Sequence, residues 1–252
     1  MSRIASPATC RLFVDPPADG AWHMAVDEVL LESAAEQGGA SLRFYPWREP
    51  TLSLGYFQEY VDRAAHRASG VCACVRRQTG GGAIVHDREL TYSLALCVAH
   101  PVATDSGRLY CLVHEAIVGV LGQFGIRAGM CQPEETDRGE QPFLCFERRG
   151  AFDILIDGSK ICGSAQRRHR GAILQHGSLL LATSPHAPEL PGIQELGGGT
   201  LDPADLAAAM AQELAPRLRL ALDPQALGEP ERDAARALFS GKYCRETWTR
   251  RR

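Results

Sequence analysis

Within residues 22–37, apolar side chains recur at Met24, Val26, Val29, Leu30 and Ala34. That is the spacing of one helical face, and Gly38-Gly39 closes the run. Shorter segments then take the alternation of strands. Leu42 to Trp47 and Thr51 to Tyr56 flank Glu49-Pro50, and Val71 to Arg76 leads into Gly80-Gly81-Gly82. Leu90 to Val98 alternates as a strand, and Leu109 to Phe124 has helical spacing. Pro142 to Glu147, Phe152 to Ile156 and Ile173 to Leu181 read as further strands, with a hairpin turn at Asp157-Gly158. Asp202 caps and Pro203 opens a helix over Leu206 to Leu218, and Glu231 to Phe239 predicts a last short one.

Strands gather in the middle of the chain, and helices lie at its ends and between. The order is not a regular βαβα alternation. It predicts an α+β fold, a mixed or antiparallel sheet flanked by helices, with a small helical C-terminal tail. The 252 residues allow one large domain or two small ones, and no repeat or low-complexity tract divides them. Thr183 to Thr200 is rich in Pro and Gly. The expected division is therefore a main domain over 1–182, and a connection with a helical segment over 183–252 packed on that domain.

Charge and composition narrow the function classes. A net charge of -3 excludes a broad electrostatic grip on nucleic acid. No run of about 20 apolar residues predicts a membrane span. Met1 to Pro17 carries Arg3, Arg11 and Asp15 and lacks the apolar stretch of a signal peptide, so the expected compartment is cytoplasmic. The nine cysteines include no C-x-x-C pair, and Cys72-Ala73-Cys74 is too tight for a zinc site. No metal is expected. Most of these thiols read as small buried apolar groups, with one available as a nucleophile. Of 27 basic residues only Lys160 and Lys242 are lysines. Lysine can exchange a proton when buried, which guanidinium effectively cannot; chance retention is the alternative.

Four strings carry candidate chemistry. Arg76 to Asp87 holds Arg77, Thr79, Gly80, Gly81, Gly82 and His86. Consecutive glycines mark a sharp turn or a close approach to a ligand, and backbone N–H groups there could hold a phosphate or an acyl carbonyl. The loop matches neither a Walker motif nor G-x-G-x-x-G. Asp157 to Gln166 places Lys160 just after a turn, before small residues. Leu174 to Leu181 sets Gln175 and His176 in an apolar strand, facing a cavity or hydrogen-bonded in the core. Pro142 to Phe146 contains Cys145. Neighbouring strands could bring Cys145 to Lys160, where a cation favours thiolate and can pass a proton to a leaving group.

Together these strings resemble the superfamily of lipoate ligases, octanoyltransferases and biotin ligases. The resemblance spans about residues 20–182. It is carried by His23 to Glu28, the Arg-Arg-x-Thr-Gly-Gly-Gly loop through His86-Asp87, Glu89 to Ser93, Gly158 to Gln166, and Gln175 to Ser178. A further echo lies at Lys242-Tyr243 and Trp248. Ligase-like octanoyltransferases have their nucleophile in a Cys-Phe pair, with a lysine 15 residues on. Cys145-Phe146 and Lys160 stand at that separation. Gly-Gly-Gly-Ala, where many of those transferases have Gly-Gly-Arg, is instead common in ligases. An ATP-dependent lipoate ligase and an amidotransferase moving lipoyl groups between proteins therefore remain open, as does a non-catalytic relative that only binds lipoyl domains.

The resemblance implies transfer of octanoyl from acyl carrier protein to Cys145, and then to a lysine of a lipoyl domain. The acceptor would be the glycine cleavage H protein or a 2-oxoacid dehydrogenase E2. Lys160 would be the second catalytic residue. Arg77, Thr79, Gly80, Gly81, Gly82, His86 and His176 would line the acyl site, and backbone N–H groups at Gly163, Ser164 and Ala165 would hold the oxyanion. No cofactor is implied, ATP and magnesium entering only for a ligase. Arg148, Arg149, Arg167, Arg168 and Arg170 flank the two catalytic strings and form a candidate docking cluster for an acidic carrier.

Overall fold

The computed structural model describes residues 6–139 and 142–252; Met1 and Arg3 of the N-terminal reading lie outside them. In chain order the principal elements are β1 (Ala8–Val14), α1 (Gly20–Gln37), β2 (Ala40–Tyr45), β3 (Thr51–Leu54), β4 (Ala73–Arg76), β5 (Ile84–His86) and β6 (Glu89–Cys97). There follow α2 (Ser106–Gln123), β7 (Gly129–Met130), β8 (Ile154–Ile156), β9 (Ser159–His169) and β10 (Ala172–Leu180). The chain ends with α3 (Pro203–Arg217), β11 (Leu220–Pro224), α4 (Glu229–Leu238) and α5 (Glu246–Thr249).

Eight strands form one mixed sheet in the order β11-β1-β2-β6-β10-β9-β8-β7, and β4-β3-β5 form a second, small sheet. Pairing is parallel at β1–β11 and β1–β2, and antiparallel from β2 through β7. Both faces of the large sheet are covered. Leu109, Val113, Ile117 and Val120 of α2 join Leu206, Met210 and Leu214 of α3 in one core, and α1 packs with α4 in another. That double cover explains why every residue of β10 is buried.

The mixed sheet flanked by helices is the expected fold, but individual elements differ. Pro142 to Glu147 is not a strand. Ala83 and Leu144 make a single isolated bridge, and Cys145–Glu147 is a turn of 3₁₀ helix. With no ladder beside it, alternation alone cannot hold the segment extended. The region after Thr183 is not only helical, because β11 extends the main sheet beside β1. Helix α1 ends at Gly38, whose φ of +74° suits glycine and whose N–H reaches the Ala34 carbonyl. Its polar residues His23 and Asp27 are as buried as its apolar ones. Among the described residues no helix is long and apolar enough to cross a membrane.

Candidate active site

The glycine loop is organised by Arg77. The Nη2 atom of this buried guanidinium donates to the carbonyls of Gly80 and Gly82, each at 2.7 Å, and Nη1 donates to the Ser53 carbonyl at 2.9 Å. Burial pulls Arg77 down to about 10, partly offset by the charge of nearby Cys145. The loop thus turns two of its carbonyls toward an arginine. Gly81 has a φ of +90°. A Cβ at Gly82 would lie 2.9 Å from the Cys145 nitrogen. Glycine there lets the loop touch the backbone of Cys145, which donates its N–H to Ala83 at 2.8 Å.

The same contact sets Cys145 before Lys160. The Lys160 Nζ lies 3.6 Å from Cys145 Sγ and 2.7 Å from Asp153 Oδ2. It also donates to the carbonyls of Cys145 and Arg148, each at 3.2 Å. Burial alone would favour neutral Lys160, but the charges of Cys145 and Asp153 outweigh it and raise the lysine above its ordinary value. Asp153 is buried too, accepting from the Tyr110 hydroxyl at 2.8 Å and the Gly150 N–H at 2.6 Å. Just before it, Phe152 holds a φ of +69°, a costly conformation for a bulky residue. The Phe152 N–H is tied to Cys131 and its carbonyl to His114, which fix the bend that aims Asp153 at Lys160.

A narrow, mostly apolar pocket opens from Cys145. Its walls include Met24, Tyr45, Trp47, Ile84, His86 and His176, with Gly163, Ser164 and Ala165 along one side. Buried polar pairs hold these walls. His176 donates from Nδ1 to Asp27 at 3.1 Å, so its Nε2 accepts from the Thr79 hydroxyl at 2.6 Å. Asp27 also receives Arg43 at 2.9 Å and Ser93 at 2.8 Å. Burial would raise the Asp27 carboxyl, but these partners hold it below the usual carboxylate range. His86 lies between Ser53 at 2.8 Å and Glu89 at 2.6 Å, and stacks on Trp47 at 3.9 Å.

The expected residues therefore separate. Cys145 and Lys160 meet, while Arg77, Gly81, His86 and His176 reach the pocket. Thr79 stands behind His176, and Gly80 and Gly82 shape the loop. The backbone donors at 163–165 are occupied. Ser164 N–H points to the Tyr110 hydroxyl at 3.1 Å, and strand alternation then commits those of Gly163 and Ala165 to β10. Arg77 Nε is a buried donor without a partner among the described residues, and Arg77 lines the pocket. Two members of the arginine cluster are engaged within the chain: Arg149 pairs with Asp137 at 2.8 Å, and Arg168 donates to the carbonyls of Ala103 and Thr104. Sequence reasoning missed Asp153, Tyr110, His114 and Arg43 as supports. Asp153 carried one usable signal, an acid placed between an aromatic and the apolar run Ile154-Leu155-Ile156.

The profile of the lipoyl protein ligase A/B catalytic domain matches residues 19–189. An octanoyltransferase LipM of Kyrpidia tusciae is 33% identical over 274 residues, covering 97% of this chain and 99% of that protein. The octanoyltransferase LipM of Geobacillus kaustophilus is 31% identical, covering 94% and 95%. Among solved structures, a lipoate-protein ligase A bound with ATP superposes with a TM-score of 0.72 at 23% identity, over 97% of this chain and 98% of that one. A bipartite lipoate protein ligase from Thermoplasma acidophilum gives 0.74 at 21%, over 96% of each. At these identities the structural likeness speaks for the fold.

Proposed function

The chain belongs to the lipoyl protein ligase A/B catalytic-domain family, and from that premise we propose that it moves octanoyl from an acyl carrier protein, through a Cys145 thioester, to a lysine of a lipoyl domain. The observation that carries this reading is the buried Lys160 ammonium 3.6 Å from Cys145 Sγ at the mouth of an apolar pocket. The pocket suits a flexible alkyl chain, each buried methylene contributing about 0.8 kcal/mol.

The proton count closes on the pair. Cys145 thiolate attacks the carrier thioester, forming the octanoyl thioester and releasing the carrier's sulfur, which leaves with a proton from Lys160. Acylation removes the Cys145 charge, the foremost influence opposing burial in keeping Lys160 protonated. The acceptor amine then attacks, the amide forms, and Cys145 leaves as thiolate. Neutral Lys160 takes the amine's proton and restores the starting pair. Arg77 lines the pocket with an Nε–H that has no partner among the described residues, and it would donate to the oxyanion in both steps. Thioester to amide is downhill, so the cycle needs no nucleotide.

Intact-protein mass after mixing with octanoyl-acyl carrier protein, without ATP, tests the reading. A hydroxylamine-labile octanoyl adduct is expected on the native chain and not on Cys145→Ala. No adduct, with acylation of a lipoyl domain only when ATP and free acid are supplied, would make the protein a ligase.

A further inference from the structure

A separate cavity of about 170 Å³ lies between β9 and the C-terminal segment, with Gln78, Arg167, Lys242, Tyr56, Trp248 and Glu28 on its walls. At about 30 Å³ per water that is room for several water-sized groups. Two of its donors lack partners. Gln78 is 8% exposed, and its Nε2 is buried without a hydrogen bond among the described residues. Arg167 Nε is in the same state. No ion pair includes Arg167 among the described residues; its guanidinium sits over the Tyr56 ring at 5.5 Å. Glu28, the acid on the wall, is engaged by Lys242 at 2.6 Å and by the Tyr243 hydroxyl. A partly buried cation without an ion pair, on the same wall as an amide short of a partner, suits a multi-oxygen anion.

The position of the cavity says which anion. Gln78 directly follows Arg77, which lines the acyl pocket. On β9, alternation sets Gly163, Ala165 and Arg167 on one face, so Arg167 lies about 13 Å along the strand from Gly163 at ~3.3 Å per residue. A donor arm leaving Cys145 along this face of β9 would pass Ala165 and reach Arg167. We propose that this cavity binds the phosphodiester of the donor's pantetheine arm through Arg167 and Gln78. The assignment rests on the carrier-thioester reading for its ligand, while its test requires no turnover.

Calorimetric titration of phosphopantetheine and of pantetheine into the native chain, Arg167→Gln and Gln78→Glu provides that test. The phosphorylated arm should bind the native chain roughly tenfold more tightly, the worth of one charge-assisted hydrogen bond. The preference should fall toward unity in both variants, with circular dichroism unchanged. Equal affinity for the two arms, or a preference surviving both substitutions, would overturn the proposal. Equal arms with lipoyl-domain binding weakened by Arg167→Gln would overturn it by giving the cavity to the acceptor. A failed Cys145 reading would instead show as no adduct by mass, whatever the calorimetry gives.

Discussion

A lysine wedged between a thiol, a carboxylate and two carbonyls has little freedom, and Gly163 is the neighbour that leaves it room. A Cβ built at Gly163 would lie 2.6 Å from Lys160 Cε and 2.9 Å from Nζ. Those are the far atoms of a flexible side chain, so Gly163→Ala can be accommodated if the ammonium withdraws. Because that movement disturbs the buried Lys160–Asp153 pair, the expected stability loss is about 1–3 kcal/mol. The expected loss in Cys145 acylation is on the order of 10²-fold, the scale for a reacting group misplaced by about 1 Å. Single-turnover acylation and urea unfolding of the same variant separate the two. A variant acylating at the native rate would mean that the contact with Lys160 is not needed.

Above single residues, the site depends on how α2 is fastened to β9 and to the bend before β8. His114 makes that joint, donating from Nδ1 to the Phe152 carbonyl and accepting from the Ser164 hydroxyl, each at 2.7 Å. Burial pushes it down to about 4, and pushes His23 in α1 down to about 3. Both lie below the ordinary value near 6.5, so the unfolded chain binds these protons first. Unfolding free energy should therefore be fully present above pH 6.5. It should fall as pH drops from 6.5 toward 4, by roughly 1.4 kcal/mol per unit for each histidine. His114→Asn, which can keep the bond to Phe152, should remove one histidine's share of this acid slope, roughly 1.4 kcal/mol per unit, in urea titrations at pH 7.0, 6.0 and 5.0. An unchanged slope would show that His114 takes up its proton equally in the folded and unfolded states.

The same elements show what the sequence made legible. Leu90 to Val98 and Ile173 to Leu181 read as strands because their partners are each other, at the centre of the sheet. Ala8–Val14 and Leu220–Pro224 gave no local sign: β1 pairs in parallel with β2 across the intervening helix α1, and β11 becomes a strand by pairing with β1, some two hundred residues away. β9 was hidden by Gly163, Ser164 and the run of arginines, which have little intrinsic strand preference, and it is extended because β10 pairs with it. The meeting of Cys145 with Lys160 was expected from two adjacent strands. It is made instead by a turn that the glycine loop holds against β9. Arg43 stayed silent because a buried polar residue announces itself chiefly through partners distant in sequence.

Taken whole, the molecule does not break where the Pro- and Gly-rich tract suggests. Leu206, Met210, Leu214 and Leu218, all beyond it, are fully buried in the core shared with α2. At roughly 1.5–3 kcal/mol each, these four contribute about 6–12 kcal/mol, comparable with the entire stability of a typical domain. The tail also serves the catalytic half: the Trp248 indole donates to the Arg76 carbonyl at 2.9 Å, and Arg76 Nε donates to the Thr249 carbonyl at 3.0 Å. Arg76 is fully buried next to Arg77, and removing its partner would leave a buried cation short of an acceptor. A chain ending at residue 200 should therefore lack a cooperative urea transition and bind a hydrophobic dye, because the α2 face and the β1 edge are uncovered together. A cooperative transition at the native midpoint would mean that 1–200 folds as an independent domain and that α3 and β11 are additions to it. Loss of cooperativity would make the helices and strand after Thr200 part of the unit that holds Arg77 and the glycine loop against Cys145.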